Sequence, residues 1–471
     1  MENILDWIQT VNESINDVVW GPVMIAFFMI VALQFTIRTK FFQVSRVGVW
    51  MKQTAGSFFH KKKGPRDKKA ISPFQAMTTA LAGAIGTGNI VGVATAITLG
   101  GPGAIFWMWV AAFFGMMTIF AENVLGVKYR KRNEKGEWVG GPMYYMERGL
   151  HQKWMAVLFS CFCVLASLGM GNMTQANSIA GALSEAAGVE PKVTGLILMA
   201  LIAVIIFGGI KRIVKVTEKI VPFMGLFFMA GGLVVLVLNA KGIPGAFSSI
   251  FKGAFTFEAA AGGAGGFMLS RAIKFGIARG VFSNEAGLGS SPIVHSTADA
   301  AEPVEQGMWG IFQVFIDTVV MCTMMALCIL STGVAETGKE GVALSAAAFE
   351  SVFGRFGTVF VSISIVLFAF ATIIGWSFYG ERSIEYLAGS ARPVLVYKAV
   401  YAVMAAFGCV MDLNLVWSLS DTFNGLMAVP NLIALLLLSR QVVEMTKDYE
   451  KRRLSPRRRE IQNRNQIKKR A

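Results

Sequence analysis

Two glycine-rich interruptions inside apolar segments of membrane length constrain this chain more than any other feature. The first runs from Ala82 to Gly92 and holds Gly83, Gly86, Gly88 and Gly92 beside Thr87 and Asn89; the second runs from Gly276 to Gly289. A glycine inside a helix costs about 1 kcal/mol relative to alanine, and Thr and Asn compete for backbone hydrogen bonds. Lipid cannot satisfy a freed peptide group, so a broken helix at membrane depth must line a protein cavity. The two breaks are therefore expected to face each other and to form a binding site.

The interruptions sit in a long series. Eleven apolar spans, each near or above the ~20 residues a helix needs to cross, fall at roughly 18–37, 73–99, 102–127, 154–184, 193–210, 213–239, 267–297, 304–332, 356–386, 394–411 and 415–439. Of the 471 residues, 54% are hydrophobic and 15% are charged, where a soluble domain carries roughly 25% charged. The expected fold class is an all-α polytopic membrane protein of about 11 transmembrane helices.

A formal charge of +15 could signal nucleic acid, but 36 of the 44 Lys and Arg residues lie in 38–70, 128–153, 211–219, 382–398 and 440–471. With eleven spans those five segments share one side, and the positive-inside rule makes it cytoplasmic. The N-terminus is then outside and the C-terminus inside. The start of the chain lacks the basic region of a cleavable signal peptide. Cys161, Cys163, Cys322, Cys328 and Cys409 read as packing residues, and His60, His151 and His295 are too far apart to suggest a metal site.

Setting the first span aside leaves two sets of five, each opening with a broken span, and the derived topology gives the two sets opposite orientation. That is a 5+5 inverted repeat with two broken helices plus one additional N-terminal helix. Corresponding interrupted segments are the best pointer in sequence to a transporter binding site. The boundaries expected are 1–70 for the N-terminal helix and basic loop, 71–440 for the core (repeats about 71–240 and 265–440), and 441–471 for a basic tail near anionic headgroups.

At the first break, Thr87, Gly88 and Asn89 present backbone N–H groups at a half-helix N-terminus, which suits a carboxylate. The carbonyls of the opposite half-helix end suit a cation. The alternative is helix packing, since Gly88 and Gly92 also have small-xxx-small spacing. The second break carries Arg279, Glu285, Asn284 and three serines in a membrane-depth segment, where ionisable groups mark a pathway or a pair. Arg279 and Glu285 are structural or gating candidates that could neutralise one another. Phe282, Ser283 and Asn284 are expected to occupy the gap and to offer backbone groups to an ammonium or to sodium.

Three runs give the chain a family resemblance: Gly86-Thr87-Gly88-Asn89-Ile90, the Gly-Gly-Pro-Met-Tyr-Tyr loop at 140–145, and the Phe-Ser-Asn-Glu-Ala-Gly-Leu-Gly-Ser run at 282–290. Together they resemble the alanine or glycine:cation symporters across roughly 70–440. The resemblance implies the leucine-transporter fold and symport of a small neutral amino acid, alanine or glycine, with sodium as coupling ion and no cofactor. It also points at Gln175, whose amide can donate to a carboxylate and accept from an ammonium, within a polar island that includes Asn172 and Asn177. Those two asparagines could equally serve interhelical hydrogen bonds.

Thr372 and Trp376 stand four apart, on one helix face. By resemblance that helix contributes to a sodium site, with a Thr372 hydroxyl as hard ligand beside Gly86 and Thr87, and to the pocket wall, where Trp376 would restrict side-chain size. A membrane Trp at an interface is the competing reading. Glu122, expected to be half solvated, and Asp317, expected deeper, could sense protons or pair with Arg279. The expected partners are a small neutral amino acid, sodium and the lipid bilayer, with no nucleic acid. A glutamine symporter of the same family is the near alternative and a channel the distant one. An intramembrane enzyme would need a nucleophile–base pair or metal ligands, and no His or Cys constellation in the sequence qualifies.

Overall fold

The computed structural model describes residues 2–59, 67–255, 264–411 and 414–453; His60 and the basic tail from 454 lie outside them. Two helices open the chain, α1 (Glu2–Val19) and α2 (Pro22–Arg38), followed by the short α3 (Phe42–Ser45) and α4 (Val47–Gln53). The first glycine-rich stretch is a broken helix: α5 (Pro73–Ala84), a 3-10 turn at Thr87–Asn89, then α6 (Val91–Gly100). After it come α7 (Gly103–Tyr129), a two-stranded hairpin of β1 (Lys131–Arg132) and β2 (Trp138–Val139), and the short α8 (Pro142–Gly149). Next is α9 (Lys153–Leu168), which passes through a π segment, Gly169–Met173, into α10 (Thr174–Ala187); α11 (Pro191–Ile206) and α12 (Gly209–Leu238) follow.

The second half repeats the plan. After α13 (Ile243–Phe255), α14 (Ala264–Asn284) and α15 (Ser291–His295) form the second broken helix. Then come α16 (Pro303–Val314), a π segment at Phe315–Cys322, α17 (Thr323–Ser331), the short α18 (Gly341–Phe353), α19 (Arg355–Ala388), α20 (Pro393–Val410) and α21 (Asn414–Arg453). Among the described residues, eight helices are long and apolar enough to cross a membrane. The two broken stretches and Pro191–Ile206 supply the other three of the eleven spans. A short helix follows α7 in one set (α8) and α17 in the other (α18), as a repeat requires.

Local chemistry sets the boundaries. Proline stands at the start of α2, α5, α8, α11, α16 and α20, where its missing N–H costs nothing and its φ suits a helix. Ser72 caps α5 with a capping box: its Oγ accepts from Gln75 N at 3.1 Å, and its own N–H donates to Gln75 Oε1 at 3.0 Å. Gly188, at φ 66°, ends α10 in the left-handed conformation that a side chain disfavours.

Four segments differ from the sequence expectation. The first span is longer, because the polar face of α1 hid its continuity: Asn12 Nδ2 donates to Ser418 Oγ (2.7 Å) and Trp20 Nε1 to the Asp421 carbonyl (3.0 Å), laying α1 along α21. The regions 240–266 and 333–355, read as loops, hold α13 and α18, which are too short to register as spans. α21 continues through the basic residues to Arg453.

α7 packs against α14 and α16, α9 and α10 against α19, α9 also against α21, and α12 against α5 and α19. The broken helices are tied end to end: Ile71 N donates to the Thr297 carbonyl (3.2 Å) and Asp299 N to the Ile71 carbonyl (2.7 Å). Asp67, just before α5, accepts from the Lys69 N–H (3.0 Å), Arg132 (2.6 Å) and Trp138 Nε1 (2.9 Å) on the hairpin. The Lys69 N–H and the Arg132 guanidinium hold its carboxyl below the usual carboxylate range.

Candidate functional site

The interruption of the first helix is built from three glycines that let other elements come close. A Cβ at Gly83 would meet the Tyr379 hydroxyl at 2.9 Å, and a Cβ at Gly375 would meet Gly83 N at 2.8 Å, so α5 and α19 touch through backbone. A Cβ at Gly86 would stand 2.5 Å from Thr372 Oγ1. The break is thus held against the middle of α19, beside the face that carries Thr372 and Trp376.

Within the break, Thr87 N donates to Gln175 Oε1 at 3.5 Å, while Gln175 Nε2 donates to the Met170 carbonyl at 3.2 Å. The Gly86 N–H donates to Asn89 Oδ1 at 3.2 Å. Thr372 Oγ1 lies 3.1 Å from the Phe368 carbonyl and 3.4 Å from that of Ile85, the residue that ends α5. The Thr87 hydroxyl is buried and has no partner. A buried hydroxyl left unpaired costs on the order of 1–3 kcal/mol, which a ligand oxygen, water or cation would recover.

The packing alternative does not hold for Gly92, and Gly88 meets only the end of α14 at ordinary contact distance. A Cβ at Gly92 would have nothing within 4 Å, so no helix packs on it. Instead Gly88 and Gly92 line a cavity of about 200 Å³ with Thr87, Val91, Thr95, Arg279 and Phe282. The Phe282 ring closes this cavity from the second break, 3.4 Å from where a Gly88 Cβ would be.

The second break lies one turn later than the sequence suggested. Phe282, Ser283 and Asn284 are the last residues of α14, and the gap itself is Glu285–Ser290. A helix leaves its final carbonyls without intrahelical partners, so these three residues still turn backbone oxygens toward the gap. Glu285 adopts φ 60°, uncommon for a residue with a side chain. Its carboxylate holds it there, accepting from Ser290 Oγ at 2.5 Å and from Trp376 Nε1 at 2.9 Å.

Arg279 and Glu285 do not pair. Arg279 turns the other way, with Nη1 3.8 Å from Asp421 Oδ2 on α21 and its guanidinium 5.6 Å from the Phe282 ring centroid. Arg279 lies on α14, whereas Glu285 begins the gap beyond its end at φ 60°, so the two side chains leave the chain in different directions. Glu122 also departs from expectation: it is fully buried and accepts from Asn431 Nδ2 (2.6 Å) and the Gly289 N–H (3.1 Å). Asn431 in turn accepts from the Tyr145 hydroxyl, joining the Gly-Gly-Pro-Met-Tyr-Tyr run to the second break.

The cluster that sequence reading left unassigned centres on Asp317. Asn89 Nδ2 donates to its Oδ1 at 2.7 Å; Ser283 Oγ (2.9 Å) and Thr318 Oγ1 (2.7 Å) donate to its Oδ2. Asn284 Nδ2 reaches Thr318 Oγ1 at 3.2 Å. One carboxylate therefore joins both breaks. Asp317 lies in the π segment Phe315–Cys322, and Gln175 stands two residues past the π segment Gly169–Met173. Such segments re-aim side chains and recur at functional sites. Sequence carried only their polar content, Asp317-Thr318 and Gly169 to Asn177.

Trp376 is fully buried, T-shaped against Tyr379 at 5.3 Å and close over Gly171, far from an interfacial setting. Asn172 and Asn177 serve the helix–helix reading, donating to the Tyr401 (2.6 Å) and Gly408 (3.2 Å) carbonyls on α20. His295 is buried between Gln306 and Gln313. Among the described residues no group of three or more His, Cys, Asp or Glu could hold a metal ion.

Comparison with known proteins agrees with this architecture. The model of the sodium:alanine symporter family matches residues 5–463. The sodium/alanine symporter AgcS of Methanococcus maripaludis is 44% identical over 94% of this chain and 98% of its own. The probable sodium/glutamine symporter GlnT of Bacillus subtilis is 40% identical over 93% of this chain and 90% of its own. Among solved structures, MhsT in complex with L-phenylalanine aligns with a TM-score of 0.56 at 12% identity, over 81% of this chain and 99% of that one. A manganese transporter of Eremococcus coleocola aligns at 0.51 and 12% identity, over 80% of this chain and 78% of that one. The shared architecture is the leucine-transporter fold.

Proposed function

We propose that this chain, which belongs to the sodium:alanine symporter family, carries alanine or glycine together with sodium across the plasma membrane by alternating access. The observation that carries the reading is the meeting of the two breaks on α19. It sets the unpartnered Thr87 hydroxyl beside the Ile85 carbonyl and the Thr372 hydroxyl in a membrane-length segment. The family is one of symporters, not of enzymes.

The substrate carboxylate sits on the N–H groups of Thr87, Gly88 and Asn89, with the Gln175 amide beside them. Its ammonium faces the terminal carbonyls of Phe282, Ser283 and Asn284. Sodium has two oxygen-lined positions. One lies between the Ile85 and Gly86 end of α5 and the Thr372 hydroxyl. The other is Asp317 with Ser283 and Thr318, where a carboxylate now bonded only by neutral donors gains a counter-charge. Trp376 and Phe282 bound the side-chain space, and their bulk favours alanine and glycine over glutamine, the substrate named for GlnT.

The cavity behind Phe282, walled by Gly88, Gly92 and Arg279, is one approach to the breaks, and rocking of one helix group against the other opens the opposite face. From the Lys and Arg distribution, the N-terminus is outside and the C-terminus cytoplasmic.

Uptake of labelled alanine into proteoliposomes tests the reading. Saturable uptake that follows an inward sodium gradient is expected, with recovered label chemically unchanged. Uptake that persists when choline replaces sodium would overturn the coupling, and conductance far above a transporter's turnover would favour a channel.

A further inference from the structure

A second cavity runs along the first half-helix and ends at the first break, where Ile85 and Met321 line it. It holds about 710 Å³ between the facing sides of α5, α12 and α16. Phe74, Met77 and Leu81 form one wall, Pro222, Leu226 and Met229 another, and Trp309, Phe312 and Ile316 the third. Apart from Thr78, part-way along α5, its polar lining groups are Gln53, Ser57 and Ser72, at the end where α5 begins. Gln75, three residues past Ser72, donates to Glu218 Oε2 at 2.7 Å, so that end is level with residue 218 of α12.

Here α12 supplies charge. Lys215, Lys219, Pro222, Leu226 and Met229 follow one another at helical spacing, which makes a single stripe about 20 Å long at 1.5 Å per residue. The stripe is basic at the polar end and apolar beyond. Lys215 and Lys219 are exposed, and neither has an ion-pair partner among the described residues. Leu226 is 64% exposed, so the crevice opens sideways onto the surface that faces lipid. Gly225 lines it, and a Cβ there would have nothing within 4 Å.

The crevice is bordered by one side of the first half-helix. On another side α5 is in backbone contact with α19 through Gly83 and Gly375. The crevice is therefore a direction in which α5 has room to move.

We propose that this crevice binds one acyl chain of an anionic phospholipid, its headgroup on Lys215 and Lys219, and that the chain braces α5 against α19. The chemistry is that of a membrane surface: basic side chains attract anionic headgroups within a Debye length, and the α5 wall from Pro73 to Ile85, about 18 Å at 1.5 Å per residue, is long enough for the ~15 Å hydrocarbon depth of one leaflet.

Trp309 provides the test, because it lines the crevice and is only 2% exposed, so bulk lipid does not reach it. The full-length protein is reconstituted in nanodiscs whose phosphatidylglycerol or phosphatidylcholine carries brominated chains. The Trp309 signal is the difference between the native protein and Trp309→Phe. Brominated phosphatidylglycerol should quench that signal, with a roughly thirtyfold preference over phosphatidylcholine set by two surface lysines. Lys215→Gln with Lys219→Gln should abolish the preference. Gly225→Leu, which fills the slot without a clash at Cβ, should abolish the quenching, and hydrogen exchange in residues 73–84 should then become faster. A Trp309 signal untouched by bromine, or quenching unchanged by Gly225→Leu, would overturn the site. Equal quenching by both headgroups would overturn its anionic character.

Discussion

The indole N–H of Trp376 donates to Glu285 Oε1 at 2.9 Å, joining the middle of α19 to the residue that starts the second break. Glu285 is at φ 60°, so the bond fixes both the orientation of the pocket wall and an uncommon backbone conformation. Substitution at Glu285 should therefore separate shape from charge. Glu285→Gln keeps an acceptor for Trp376 and should stay within about 1 kcal/mol of native stability. Glu285→Leu leaves the buried indole unpaired, at a cost of about 1–3 kcal/mol. Thermal melts in detergent read the difference. Competition for alanine uptake should show Glu285→Leu admitting larger neutral amino acids that the native protein and Glu285→Gln reject.

Gly86 and Gly88 should respond differently to the same added methyl. At Gly86 it meets Thr372 Oγ1 at 2.5 Å, whereas at Gly88 it makes ordinary contact with Phe282 at 3.4 Å. Gly86→Ala should raise the sodium concentration for half-maximal uptake by about tenfold, equivalent to ~1.4 kcal/mol, and Thr372→Val should do the same. Gly88→Ala should leave sodium affinity near native. Gly88→Val should abolish substrate binding by filling the carboxylate position. Sodium titrations of alanine uptake, with a binding panel run beside them, separate these outcomes.

Asp317→Asn tests the carboxylate that joins the two breaks. It preserves size and most hydrogen bonding to Asn89, Ser283 and Thr318 but removes the charge. Sodium-stabilised melting of the purified protein should shrink by about 1 kcal/mol or more, the scale of a lost charged partner, and sodium-driven uptake should fall with it. Unchanged sodium dependence would assign the ion to the Thr372 position alone.

The Asp67 latch should be insensitive to pH across the neutral range. Its carboxyl is held below its ordinary value of 3.8 by the Lys69 N–H and Arg132. A depressed folded-state value means stabilisation that is present above the unfolded value and lost as pH falls through the folded one. Asp67→Asn should therefore lower the melting temperature at pH 7 by an amount that is the same at pH 5, and the difference from native should vanish only below 3.8.

Much of this was legible in sequence, and the reason is solvent. A hydrocarbon environment forces one long apolar run per crossing and makes every interruption costly, so span order, both breaks and the residues around Gly86–Asn89 could be read from Gly, Thr and Asn alone. The helices α13 and α18 could not, because α13 carries polar residues and both are short of a span. Nor could the separation of Arg279 from Glu285, which depends on where α14 stops and which way each side chain leaves the helix.

Sequence by itself thus determined the number of crossings, their pairing into two sets and the location of the breaks, since these depend on local hydropathy and backbone cost. Tertiary structure alone decided which groups meet: Trp376 with Glu285, Asn89 and Ser283 with Asp317, Thr372 with the end of α5. Those contacts join residues up to 287 positions apart. They arise because glycines let backbones approach and π segments turn polar side chains inward, and neither leaves a periodic trace in the chain.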